Sequence, residues 1–160
     1  MLYSKMGRVL YELKRYQEAL AAYGRAVQLD PDEEAYVYGK GLALHRLERY
    51  EEALAAYEQA IRLDSTSADV YYNKGAILDH LKRYEEALAA YEQAIRLDPN
   101  DAFAYNNKGH TLKALKRHEE AKLAFSKASQ LGLRSYLKPR PLQTTNHYFS
   151  KSSSSLRATS

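Results

Sequence analysis

Apolar positions along the chain recur at i, i+3, i+4 and i+7 in short runs separated by polar breaks, and the runs themselves repeat every 34 residues. Arg49–Asp64 returns letter for letter as Arg83–Asp98. The spacing predicts two amphipathic helices in each unit. In the third copy Tyr71, Lys74, Gly75, Leu78 and Leu81 fall near one face of a first helix of about Asp69–Leu81. A second helix of about Glu85–Leu97 brings Tyr84, Ala87, Leu88, Tyr91, Ala94 and Ile95 to one side. Asp30-Pro31 and Asp98-Pro99 stop the chain between units, and the second copy uses Asp64-Ser65-Thr66-Ser67 in their place. No β-branched run alternates at period two, so no strand is expected.

Four copies align at this offset. Gly7, Gly41, Gly75 and Gly109 share one column, Tyr23, Tyr57, Tyr91 and Phe125 another, and Ala19, Ala53, Ala87 and Ala121 a third. Glycine inside a helix costs about 1 kcal/mol relative to alanine. The expectation is that each glycine lets the backbone of another helix come close, with the alanine columns facing it. Acidic pairs at Glu51/Glu52, Glu85/Glu86 and Glu119/Glu120 open the second helices, where the helix dipole favours them. Glu58→Arg62 and Glu92→Arg96 read as i, i+4 ion pairs.

The unit resembles the tetratricopeptide repeat. The third copy supplies Tyr71-x2-Lys74-Gly75-x2-Leu78, then Ala87-x3-Tyr91 and Pro99, at the spacings of that family's signature. Tyr71 stands where the family often has Trp, and Lys40, Lys74 and Lys108 stand where it has Leu. The resemblance extends over residues 1–133 and implies a right-handed superhelix whose first helices line a concave side. The family's carboxylate clamp for acidic C-termini is absent, since Ser4/Arg8, Tyr38/Leu42 and Tyr72/Ala76 occupy its first Lys–Asn positions. Asn73 and Asn107 resemble the inward asparagine ladder of other members.

The end copies differ from the middle ones. Lys122 and Ser129 replace the Leu88 and Ile95 that face the following unit, as expected of a terminal repeat that must be soluble. The first copy begins almost at Met1 without a capping residue, which predicts fraying or an array trimmed from a longer one. After Gly132, a helix C-cap by its position, the composition changes. Residues 134–160 hold five of the 24 Lys and Arg, none of the 20 acidic residues, two prolines and seven serines. The net charge of +4 belongs to this tail, which is expected to be disordered.

Composition narrows the chemistry. There is no cysteine, hence no disulfide or thiolate chemistry, and no apolar run of bilayer or signal-peptide length. A cytoplasmic location is the expectation. No Gly-rich phosphate loop, Gly-x-Ser-x-Gly elbow or His-Glu-x-x-His stretch occurs, and the paired glutamates lack a nucleophile or apolar shielding. His45, His80 and His110 fall on successive first helices near Asp79 at unmatched phases, and read as groove residues rather than metal ligands. No enzyme, cofactor or metal is expected.

Of the 15 tyrosines, Tyr16, Tyr50, Tyr84, Tyr23, Tyr57 and Tyr91 are periodic and read as packing within repeats. Tyr11, Tyr38, Tyr72 and Phe103 fall at first-helix phases expected to face the groove, together with Asn73, Asn106 and Asn107. Tyrosine offers amphipathic contact area and asparagine both a donor and an acceptor to a peptide backbone.

The sequence therefore predicts an all-α chain, an α-solenoid of antiparallel helix pairs with a disordered basic Ser-rich tail. Four repeats occupy about 1–33, 34–67, 68–101 and 102–133, and the tail 134–160. The expected function is a non-catalytic protein-interaction scaffold holding an extended peptide or partner helix through Tyr38, Tyr72, Asn73, Asn106, Asn107 and His110. A small-molecule substrate and nucleic acid are not expected partners. The alternative is a spacer or assembly array, or a fragment of a larger regulator or enzyme, whose tail makes weak contacts with nucleic acid or anionic lipid.

Overall fold

The computed structural model describes residues 1–132. Eight helices follow one another: α1 (Leu2–Glu12), α2 (Tyr16–Leu29), α3 (Glu34–Arg46), α4 (Tyr50–Leu63), α5 (Ala68–His80), α6 (Tyr84–Leu97), α7 (Ala102–Ala114) and α8 (His118–Gln130). Among the described residues no strand occurs, and no helix is long and apolar enough to cross a membrane. Expectations about the tail lie outside the described residues. Two compact units divide the rest, one of residues 1–63 with α1–α4 and one of residues 64–132 with α5–α8.

The turn inside each pair is the same. Lys14, Glu48, Lys82 and Lys116 adopt φ of 60, 58, 58 and 61°, a left-handed conformation usually given to glycine. It lets the next residue reach back five positions, as in Arg83 N–H to Leu78 O at 2.8 Å, and so satisfies a carbonyl at the end of the first helix. That next residue is always arginine. Arg15, Arg49, Arg83 and Arg117 each make paired hydrogen bonds to the glutamate three positions on, Glu18, Glu52, Glu86 and Glu120, at 2.6–2.8 Å. Between pairs the caps are side chains: Ser67 Oγ accepts from Val70 N–H, and Asp101 Oδ1 from the N–H groups of Phe103 and Ala104.

The glycine column faces aromatic rings rather than helix backbone, which corrects the expectation from the sequence. A Cβ on Gly41 would stand 2.6 Å from Tyr57, on Gly75 2.7 Å from Tyr91, and on Gly109 2.6 Å from Phe125. The second-helix ring of each copy packs against the glycine of its own first helix, where no side chain stands in its way. In the first unit Tyr23 is clasped twice, by Gly7 and, from the next copy, by Gly39. Tyr23, Tyr57 and Tyr91 are fully buried. In the second unit Leu88 joins Leu112, Ala121 and Ala124 in one cluster, which fixes α6 against the fourth copy. Glu92 pairs there with Lys108 of α7 at 3.0 Å, while Arg96 donates to Gln93, so the expected Glu92–Arg96 pair is replaced by one between helices.

Candidate partner-binding face

In the second unit the first helices α5 and α7 are joined by side-chain hydrogen bonds. Asn107 Nδ2 donates to the Tyr72 hydroxyl at 3.0 Å and lies 3.5 Å from that of Tyr91. The Thr111 hydroxyl stands 2.9 and 3.0 Å from the two Asp79 carboxylate oxygens and 3.0 Å from the Asn107 carbonyl. The Tyr91 hydroxyl donates to Asp79 Oδ2 at 2.9 Å. Five polar side chains from three helices thus share one half-buried network, the arrangement under which polar groups inside a fold are tolerated.

Asp79 is the only acid in it. Burial raises its carboxyl above the usual range; hydrogen bonds from Tyr91 and Thr111, and the nearby His80 and His110, pull it back. Burial, the charge of Asp79 and the bond to it push the Tyr91 phenol well up. These groups position one another. Asp79 faces two hydroxyls that are themselves held in place.

The first unit builds the corresponding region differently. Arg46 Nε donates to the Tyr11 hydroxyl at 3.0 Å, and its guanidinium lies 5.9 and 5.6 Å from the Tyr11 and Tyr16 ring centres. His45 Nδ1 is 3.5 Å from the Tyr57 hydroxyl and presents its ring edgewise to Tyr50 and Tyr57.

The six residues proposed from the sequence are therefore unlike one another in place. Tyr38 is buried against Tyr57 at 6.0 Å between ring centres, and Tyr72 against Tyr91 at 5.9 Å. Asn73 and Asn106 are buried, and the Asn106 Oδ1 has no hydrogen-bond partner among the described residues. Asn107 is half-buried and His110 exposed, its ring edge-on to Phe125 at 4.9 Å. Tyr38 belongs to the first unit and the other five to the second. A first-helix phase does not by itself make an open surface: tyrosines at that phase turn onto the ring of their own copy's second helix. Thr111 and Arg46, which tie these regions together, are not among the six. A signal for both regions was present in the column Tyr11, His45, Asp79 and Lys113, one polar-tipped residue per copy twelve positions before the packed aromatic ring.

One tetratricopeptide repeat model matches residues 4–68 and again 38–102, and a second matches 90–122. None of the curated proteins is a significant sequence match. Among solved structures, a crystal structure of MamA is 26% identical, covering 81% of this chain and 75% of that chain at a TM-score of 0.79. MamA 41-end from Desulfovibrio magneticus RS-1 is 26% identical over 81% of this chain and 73% of that one, at 0.77. The first TPR of Spaghetti (RPAP3), bound to the HSP90 peptide SRMEEVD, is 25% identical over 72% of this chain and 91% of that one, at 0.71. With the paired helices, the glycine–aromatic columns and these matches agreeing, the chain belongs to the tetratricopeptide repeat family, whose fold generally serves as a scaffold for protein interaction.

Proposed function

We propose that the chain is a non-catalytic adaptor that receives an extended peptide or a partner helix on the faces of its first helices. The observation that carries this reading is the tie between α5 and α7. Asn107–Tyr72 and Thr111–Asp79 lock two neighbouring first helices together, with half-buried Asn107 and exposed His110 at the surface of the locked pair. A surface fixed before binding loses little entropy on binding, which favours recognition. Tyr72, Asn73 and Asn106 form the floor that holds these contacts, and Tyr38 does the same in the first unit.

The sequence supports the same division of labour. α4 and α6 are identical in all 14 residues, whereas α3, α5 and α7 differ. Identical helices repeat one docking problem; differing helices carry what distinguishes the copies. The peptide-bound RPAP3 neighbour lends the idea of a peptide ligand further support. The working array in this reading is residues 1–133 in four repeats, and its compartment is the cytoplasm.

Selection of displayed random peptides on the full chain tests it. Enriched peptides should lose at least about tenfold in affinity on His110→Ala, with an unchanged melting temperature. Gln93→Ala on a second helix should leave them bound. No enrichment, or binding indifferent to His110→Ala, would end this reading.

A further inference from the structure

We propose that Arg46, in the first unit, anchors an acidic side chain (aspartate or glutamate) of the peptide received on the first-helix faces; this rests on the peptide-binding reading and names the chemistry it selects. Six other arginines, Arg15, Arg25, Arg49, Arg83, Arg96 and Arg117, each donate to a carboxylate or carboxamide three positions away. Arg46 has no such acceptor. Three or four positions from it, in either direction, stand Leu42, Ala43, Arg49 and Tyr50. Its Nε donates instead to the Tyr11 hydroxyl of α1 at 3.0 Å. The guanidinium lies 5.9 and 5.6 Å from the ring centres of Tyr11 and Tyr16, which themselves meet edge to face at 5.3 Å. One charge on α3 is thus held from α1 and α2. Arg46 is exposed, and its two Nη groups make no hydrogen bond among the described residues.

The geometry of the fork selects the ligand. With Nε committed to Tyr11, the two Nη groups remain for one end-on contact, and the two oxygens of a carboxylate match their spacing. A side chain already held by a phenol and two rings loses little further freedom when it binds. The surrounding charge has the right sign. The first helices α1 and α3 carry four basic residues (Lys5, Arg8, Lys40, Arg46) against two acidic ones, Glu12 and Glu34. The second helices α2 and α4 carry two, Arg25 and Arg62, against four, Glu18, Glu51, Glu52 and Glu58. Within the first unit the first helices are therefore the electropositive ones, complementary to an acid. The position is also peculiar to its copy, since Glu12, Arg46, His80 and Ala114 occupy it in turn. A packing duty common to all repeats does not account for it.

Random peptides displayed and selected on the full chain, then synthesised singly, test this. The enriched peptides should share an aspartate or glutamate. Changing that residue to its amide, or Arg46→Gln in the chain, should each weaken binding at least about fivefold, and both together should cost little more than either alone. Damage to the fold by Arg46→Gln would instead add to the peptide change, so the coupling keeps the test valid. Arg46→Lys should bind as poorly as Arg46→Gln, because an ammonium is a single point charge without the fork. Amidating the peptide's C-terminus should leave affinity unchanged, which separates a side-chain anchor from capture of a chain end. Peptides that depend on His110 but share no acid, additive losses, full binding by Arg46→Lys, or dependence on the peptide's terminal carboxylate would each overturn the assignment and leave the peptide-binding reading standing. No enrichment would end both.

Discussion

The hydroxyl of Tyr91 donates to the Asp79 carboxylate at 2.9 Å, from the second helix of the third copy to the first. The same two positions in the second copy hold Tyr57 and His45, 3.5 Å apart. In the fourth copy the ring is Phe125, which has no hydroxyl to satisfy, and the opposite position is Lys113. A buried phenol is accompanied by an acceptor where the copy provides one, as the cost of burying an unpaired hydroxyl requires.

Removing that acceptor should destabilise the chain. Asp79→Ala leaves the Tyr91 and Thr111 hydroxyls without their shared partner, a loss of about 1–3 kcal/mol. Tyr91→Phe should cost less, because Asp79 keeps Thr111. Urea unfolding of both single variants and the double variant measures the coupling, which should be non-additive because the two residues touch.

Asp79 also makes a defined contribution to pH dependence. Its folded carboxyl titrates above the ordinary value because burial disfavours the charge. The folded chain therefore holds this proton more tightly than the unfolded chain. Stability from this group is fully present below the ordinary aspartate value of 3.8 and is lost as pH rises through the raised folded value. The four exposed glutamates paired with arginine, Glu18, Glu52, Glu86 and Glu120, titrate below their usual range and act with the opposite sign. Comparing wild type with Asp79→Asn across an acid series isolates the aspartate. The stability difference between them should shift against wild type as pH rises through that window.

Tyr23 is the converse case. Its ring is fully buried between Gly7 and Gly39, and its hydroxyl finds no hydrogen-bond partner among the described residues. Burial pushes its phenol above the ordinary value. Tyr23→Phe should be neutral or stabilising by up to about 1 kcal/mol, since it removes an unpaired polar atom and keeps the ring. Thermal denaturation beside Tyr91→Phe, expected to move the other way, checks it.

The glycines should divide in the same measurement. Gly75→Ala forces a Cβ to 2.7 Å from the Tyr91 ring, and Gly41→Ala to 2.6 Å from Tyr57, each an overpacking cost of about 1–3 kcal/mol. Gly24, inside α2, has nothing within 4 Å of a Cβ. Gly24→Ala should raise stability by about 0.5–1 kcal/mol through helix propensity alone. Equal effects at Gly24 and Gly75 would deny the ring contact its role.

The sequence by itself determined the helices and their repetition. A 34-residue period, apolar residues at helical spacing, and Gly, Ala and aromatic columns specify four pairs of amphipathic helices, because each requirement is local or repeats at a fixed distance. Even the arginine–glutamate bridge was there to be read, at one spacing in all four copies.

Only the tertiary structure decided which way a first-helix side chain turns. Tyr38 and Tyr72 hold the phase of a groove residue, yet each swings onto the ring of its own copy's second helix and is buried, while His110 in the fourth copy stays in solvent. Glycine's neighbour was likewise a ring and not a backbone, and Thr111 joined Asp79 across 32 residues. Periodicity gives the direction of a Cβ from its own helix axis. What that side chain meets depends on the volume and polarity of residues on another helix, and no period along one chain contains that information.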